Sequence, residues 1–174
     1  MIKNLGVLLA RQPVIMAIYG IEQLKTALSS KAEVCIIANI DLIKLQPVIE
    51  LLSKAGKYVI VNIDSCNGLS QDKGGIDYVA ETGAMGLLST RLQTVQRAKK
   101  CGLITMQKIF VTDYVQLMPA QMLPLLPQAD RNGLPPIVAS GFVCNEEHAR
   151  TALLHGAIAV SSSDSALWDV NLLR

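Results

Sequence analysis

The residues of this chain with the clearest chemical content are small polar groups placed where apolar runs end. Ser140 and Gly141 follow the run 136–139, and Ser161, Ser162 and Ser163 follow the run 157–160. Small residues at such ends let backbone N–H groups come close to an anion, and serine hydroxyls add further donors. The chemistry this suits is the binding of a phosphate. Arg91, just past the run 86–90, offers a bidentate guanidinium fork, and Lys108, within the run 104–110, offers a point charge. Asp64 closes the run 58–63 and can accept from ligand hydroxyls or anchor a cation. Each feature also has a plainer reading. Serine stretches form ordinary solvated turns, paired cations make salt bridges at a rim, and an aspartate caps a loop.

No nucleophile, base and orienting group stand together. His148 lies in a helical stretch and His155 at a helix end beside Gly156, where a histidine complements the helix dipole or simply faces water. Binding without turnover is therefore the simpler reading, and a sugar-phosphate enzyme is the alternative. Cys35, Cys66, Cys101 and Cys144 are scattered, without the short paired spacing of a zinc site. They read as reduced, buried thiols of a cytoplasmic protein. Neither a metal nor a cofactor is expected.

The elements that must position these groups alternate along the chain. Strands are expected at 14–19, 34–40, 58–63, 86–90, 104–110, 114–118, 136–139 and 157–160. Helical spacing falls at 21–29, 42–55, 70–81, 92–100, 121–128 and 145–154, with a last short helical segment at 166–170. The strands are apolar on both faces, which belongs to a parallel sheet covered by helices. Eight such strands predict a TIM-type (β/α)8 barrel spanning residues 1–174 as one domain, with the ligand chemistry at the carboxyl ends of the strands. The barrel is expected to be irregular around its fifth helix. Between Asp113 and Tyr114 there is no room for the dozen or so residues of a parallel crossover.

Composition sets further bounds. Of the 174 residues, 51% are hydrophobic and 17% charged, which builds a core and does not describe a disordered chain. No apolar run reaches the roughly 18 residues of a membrane span, so no membrane partner is expected. Arg11, Gln12 and Pro13 interrupt the amino-terminal apolar patch, which reads as a lead-in plus a first strand and not as a secretory signal. A net charge of +2 is too small to argue for nucleic acid by itself. Arg97, Lys99 and Lys100 form a basic cluster that either touches RNA phosphates or is a solvated helix face. A homo-oligomer is compatible with the sequence, which does not specify one.

Several segments, taken in order, resemble one family. They are Pro13-Val14-Ile15, Val61-Asn62-Ile63-Asp64 with Gly68-Leu69-Ser70, Gly86-Leu87-Leu88-Ser89-Thr90-Arg91, Gln107-Lys108-Ile109-Phe110, Leu117-Met118-Pro119, Ala139-Ser140-Gly141-Phe142, and Gly156 to Trp168. The chain is similar to the glycerol uptake operon antiterminator regulatory proteins over nearly its whole length. The resemblance implies a cytoplasmic, non-enzymatic regulator with a barrel fold. It would bind glycerol 3-phosphate, or a similar phosphorylated small molecule, and act on the leader mRNA of glycerol-utilisation genes to prevent premature termination. Departures from the family pattern fall at Tyr19 in place of an arginine, Asn62 in place of a histidine, Gln116 in place of a glutamate, Pro119-Ala120 in place of Pro-Gly, and Ser140-Gly141 in place of paired glycines. A degenerate relative that has lost its sensor function is the remaining alternative.

Overall fold

Residues 4–111, 137–141, 143–154 and 156–172 are described in a computed structural model of the chain. Its strands are β1 (Val14–Tyr19), β2 (Val34–Ala38), β3 (Tyr58–Asn62), β4 (Gly86–Ser89), β5 (Ile104–Val111), β6 (Ile137–Gly141) and β7 (Ala159–Ser162). All neighbouring pairs are parallel, and β1 pairs with both β2 and β7, so the sheet closes into a barrel.

Period-2 alternation divides each strand between two cores. Ile15, Ile36, Ile60, Leu88, Met106, Val138 and Ala159 point into the barrel and share one apolar cluster. Their chain neighbours Met16, Cys35, Ile37, Val59, Val61 and Leu87 face outward into a second cluster with the surrounding helices. This is why the strands read as continuous apolar runs. A helix that sequence reading did not anticipate, α1 (Leu5–Arg11), sends Leu8 and Leu9 into the inner cluster and so packs against the amino-terminal end of the barrel. Asn4 starts it by accepting a hydrogen bond from the Val7 amide.

The outer helices are α2 (Leu24–Ser29), α3 (Leu42–Lys54), α4 (Lys73–Glu81), α5 (Leu92–Lys100) and α6 (Glu146–Leu154). A 3-10 turn, Ile21–Gln23, leads into α2. Helix α4 begins three residues later than the sequence suggests, because Asp72 caps it through the Gly75 amide at 3.1 Å. The glycine pair thus occupies the first turn, where it costs little. A Cβ on Gly75 would lie 1.8 Å from the Ser70 carbonyl oxygen, so the close approach of the preceding loop demands glycine there. Asn145 caps α6 as expected, its side-chain oxygen accepting from the His148 amide at 2.9 Å.

The architecture is the expected α/β barrel, with seven strands among the described residues where the sequence suggests eight. β5 pairs directly with β6, from Gln107 opposite Ile137 to Val111 opposite Gly141. The stretches read as strand 114–118 and helix 121–128, together with Gln116, Pro119-Ala120, Phe142 and His155, lie outside the described residues. The strands 34–40, 58–63, 86–90 and 104–110 shift by one or two residues at their ends, and two boundaries move in ways that bear on the site. The run read as 157–160 is paired over Ala159–Ser162, and the run read as 136–139 continues to Gly141. Ser140, Gly141, Ser161 and Ser162 are therefore strand residues and not loop residues. The segment read as helix 166–170 is a 3-10 turn, Ser165–Leu167.

Candidate ligand site at the barrel mouth

At the carboxyl end of the barrel the inward-facing positions stop being large. Two residues beyond Ile15 and Ile36 stand Ala17 and Ala38, and the same layer holds Asn62, Lys108, Ser140 and Ser161. The change from isoleucine to alanine and serine leaves a cavity of about 160 Å³, completed by Tyr19, Ile36, Leu88, Gly141 and Ser163.

Alternation sorts the serine run. Ser161 faces in, and its hydroxyl is hydrogen-bonded to that of Ser140 across the β6–β7 pair. Ser162 faces out and donates to the Val143 carbonyl at 2.7 Å. Ser163 returns to the mouth, where its carbonyl accepts from the Gln23 side chain at 2.9 Å. Gln23 also receives the Tyr19 amide at 2.7 Å, so one side chain clamps the ends of β1 and β7 together. Behind this rim Trp168 is buried and donates its indole N–H to the Ser162 carbonyl at 2.8 Å. The 3-10 turn after Ser163 has its first amide engaged by its own aspartate, Asp164 accepting from Ala166 at 3.0 Å. An anion in the cavity would therefore rely on Lys108, the serines and the strand ends.

Lys108 is the cation of the cavity lining. Burial pushes its ammonium pKa down from the ordinary lysine value, and the Asp64 carboxylate partly offsets that shift. Asn62 is almost fully buried, and its side-chain oxygen accepts from the Asp64 amide at 3.1 Å. Its amide N–H groups remain as donors for the cavity.

Asp64 itself does not line the cavity. One carboxylate oxygen accepts from the Ser89 hydroxyl at 2.6 Å, and the other from the Thr90 amide at 2.7 Å and the Thr90 hydroxyl at 3.0 Å. It ties the end of β3 to the end of β4, the loop-capping role that the sequence left open. Arg91 is also elsewhere. It is the residue before α5, its amide held by the Ser89 hydroxyl at 3.0 Å, and its side chain lines a separate open cleft with Leu69, Gln71, Asp72, Thr94 and Arg97. Of the eight residues singled out as ligand contacts, the fold brings together Lys108, Ser140, Gly141, Ser161 and Ser163. It sets Asp64, Arg91 and Ser162 apart.

Sequence reasoning missed Ala17 and Ala38 as the residues that make room, and noted Tyr19 and Asn62 as departures from the family pattern. The signal was the step from isoleucine to alanine at spacing two. Arg97, Lys99 and Lys100 are exposed on α5, all within its last turn, where cations complement the helix dipole. Cys35 and Cys66 are buried as expected, with burial pushing their thiols up to about 12 and about 11, whereas Cys101 and Cys144 are exposed. All four are free thiols. Among the described residues no group of His, Cys, Asp and Glu is placed to hold a metal, and no helix is long and apolar enough to cross a membrane.

Fold and cavity together define an α/β barrel with a small polar-lined cavity at its carboxyl-terminal mouth. The sequence pattern described as "Glycerol-3-phosphate responsive antiterminator" matches residues 14–115 and 112–168, and the chain belongs to that family. The two matched pieces overlap at 112–115. A relative in Escherichia coli K12, the uncharacterized protein YgcP, is 24% identical, covering 92% of this chain and 94% of its own. Among solved structures, the glycerol uptake operon antiterminator regulatory protein of Listeria monocytogenes superposes with a TM-score of 0.74 at 22% identity, over 90% of this chain and 95% of that one. The glycerol uptake operon antiterminator-related protein of Thermotoga maritima gives 0.69 at 24%, over 92% and 99%. The barrel is shared more widely, for a deoxyribose phosphate aldolase of Aeropyrum pernix gives 0.62 at 15%, over 94% and 89%.

Proposed function

We propose that this protein is a cytoplasmic, non-catalytic regulator that binds glycerol 3-phosphate at the barrel mouth and acts on leader mRNA of glycerol-utilisation genes in antitermination. The observation that carries the ligand half is the cavity lining. One desolvated lysine, two paired serine hydroxyls, Gly141, Ser163 and the Asn62 amide surround a space of about 160 Å³. Donors predominate, which suits a phosphate with hydroxyls. The volume lies below the roughly 300–1,000 Å³ of sites for drug-sized ligands, which favours a molecule of a few carbons. Among the described lining residues no carboxylate, histidine or cysteine stands beside Lys108 as a proton-transfer partner, which is why binding without turnover is preferred to sugar-phosphate catalysis. The RNA half rests on family membership.

Titration of glycerol 3-phosphate, glycerol and inorganic phosphate against the pure protein, followed by heat and by Trp168 fluorescence, tests the ligand. Trp168 is a suitable reporter because its indole holds the carbonyl between Ser161 and Ser163. Saturable binding selective for glycerol 3-phosphate is expected. Equal response to all three, or none, would remove the ligand assignment. Steady consumption of a phosphorylated substrate, lost in Lys108→Met, would instead make the site an enzyme's.

A further inference from the structure

The cleft between α4 and α5 is unlike the mouth cavity in size and in what it offers. It encloses about 850 Å³, is open to solvent, and carries two exposed guanidinium groups, Arg91 and Arg97. Neither arginine forms a salt bridge among the described residues. The one carboxylate in the lining, Asp72, accepts from the Ser70 hydroxyl at 2.6 Å and the Gly75 amide at 3.1 Å, both on one oxygen, and its charge also acts on Arg97, so it offsets one of the two cations. Gln71, in the same wall, has a buried amide oxygen without a donor, an acceptor that a ribose hydroxyl satisfies if the amide turns outward. The lining has no aromatic side chain on which a base would stack, so its affinity is for a backbone.

A continuous chain of hydrogen bonds joins this cleft to the ligand cavity. Asn62, in the cavity wall, accepts from the Asp64 amide, Asp64 accepts from Ser89, and the Ser89 hydroxyl accepts from the Arg91 amide. A second branch runs from Asp64 to Thr90 through both its amide and its hydroxyl. These bonds form an unbroken path from Asn62, in the cavity wall, to the segment that carries Arg91.

We propose that the Arg91–Arg97 cleft holds the phosphodiester backbone of single-stranded RNA, and that the Asn62–Asp64–Ser89–Arg91 chain makes its hold depend on the ligand at the barrel mouth. This rests on the antiterminator reading above and gives it a surface and a linkage. It also moves the contact away from Lys99 and Lys100, which do not line the cleft and are accounted for by the carboxyl-terminal end of α5.

The test is binding of a labelled leader RNA to the whole chain over a salt series, with and without glycerol 3-phosphate. Arg91→Ala and Arg97→Ala should each weaken binding by about tenfold and reduce the slope of log K against log salt by about one. Lys99→Ala and Lys100→Ala should leave the slope unchanged. Glycerol 3-phosphate affinity of the arginine variants, measured by calorimetry, should match wild type and certify their fold. RNA binding by the Arg91→Ala/Arg97→Ala double variant equal to wild type would overturn the cleft while sparing the antiterminator reading. A wild-type protein that binds glycerol 3-phosphate but no leader RNA, with or without ligand, would overturn both. The linkage has its own readout. In Asp64→Asn and Ser89→Ala, glycerol 3-phosphate should no longer change RNA affinity, and an undiminished ligand effect in both would refute the chain.

Discussion

Replacing Lys108 by methionine separates what this residue does for the ligand from what it does for the fold. The side chain is half-buried in the mouth, and burial disfavours its charge. Removing the charge should therefore leave the free protein as stable as wild type or more so, since a desolvated cation is exchanged for a thioether of similar length. The ligand should suffer instead. A charge-assisted hydrogen bond to a phosphate contributes about 1.5–3 kcal/mol, which is roughly a tenfold to hundredfold rise in Kd. With ligand at about 100 times the wild-type Kd, the wild-type protein gains about 2.7 kcal/mol of stability, and the variant about 0.4–1.4 kcal/mol. In a chain of this size each kcal/mol moves Tm by about 2–4 °C, so the shift on adding glycerol 3-phosphate should fall from about 5–11 °C to about 1–6 °C. Differential scanning fluorimetry with and without ligand measures both quantities at once. A variant that keeps the whole ligand shift, or that loses stability before any ligand is added, would refute the assignment of Lys108 as the anion's partner.

The same residue gives a pH signature. Its pKa is lowered on folding, so between the folded value and the ordinary value of about 10.4 the unfolded chain binds more protons. Urea stability should rise with pH through that window, and Lys108→Met should flatten the rise. Ligand affinity should fall as pH climbs through the free protein's Lys108 pKa, and a binding curve flat to pH 10.4 would contradict the lowered value. Asp64→Ala strips partners from the Ser89 and Thr90 hydroxyls and the Thr90 amide. The expected loss is about 2–4 kcal/mol, seen in the urea midpoint, and a variant within about 0.5 kcal/mol of wild type would deny the residue its tie between β3 and β4. Gly86→Ala places a Cβ 2.6 Å from the Ile104 carbonyl oxygen, forcing β4 off β5. A cost of about 2–4 kcal/mol should follow, and an unchanged Tm would show that the strands can separate freely.

Most of the barrel could be read in the sequence because its strands are buried on both faces, which turns each one into an unbroken apolar run. Runs such as 34–38 and 58–62, buried at every position, admit few other readings. Where strands end is a different matter. A strand ends where its neighbours stop pairing, and β5 and β1 carry Ser140, Gly141, Ser161 and Ser162 into the sheet although their polarity suggests a loop. That displacement explains the serine run, because in a loop three serines can converge whereas in a strand the middle one must turn away. Arg91 follows the same logic. It stands at a strand end, but the Asp64 and Ser89 bonds direct the chain into α5, and the side chain leaves along the outer surface. Helix α1 was not legible because its seven residues precede the first strand, and only the barrel's open end gives Leu8 and Leu9 a place to be buried.

The size of the mouth cavity is itself a consequence of strand number and of two alanines. Barrel diameter grows with strand count, so a sheet closing through seven described strands encloses a narrow interior that isoleucine, leucine and methionine fill. Space opens only where Ala17 and Ala38 replace such residues in the uppermost layer. Ala38 is 2% exposed and paired opposite Tyr19 at the β1–β2 seam, so its side chain cannot swing out of the cavity. Ala38→Val adds two methyl groups, each comparable with a water molecule's share of about 30 Å³, and so removes about a third of the 160 Å³. A β-branched residue suits a strand, and the added carbon fills space that is otherwise solvent, so stability should hold or rise. Glycerol 3-phosphate binding should drop by at least tenfold in calorimetry while inorganic phosphate, if it binds wild type at all, is affected less. Undiminished glycerol 3-phosphate affinity in this variant would mean that the polyol does not occupy the space beneath the rim.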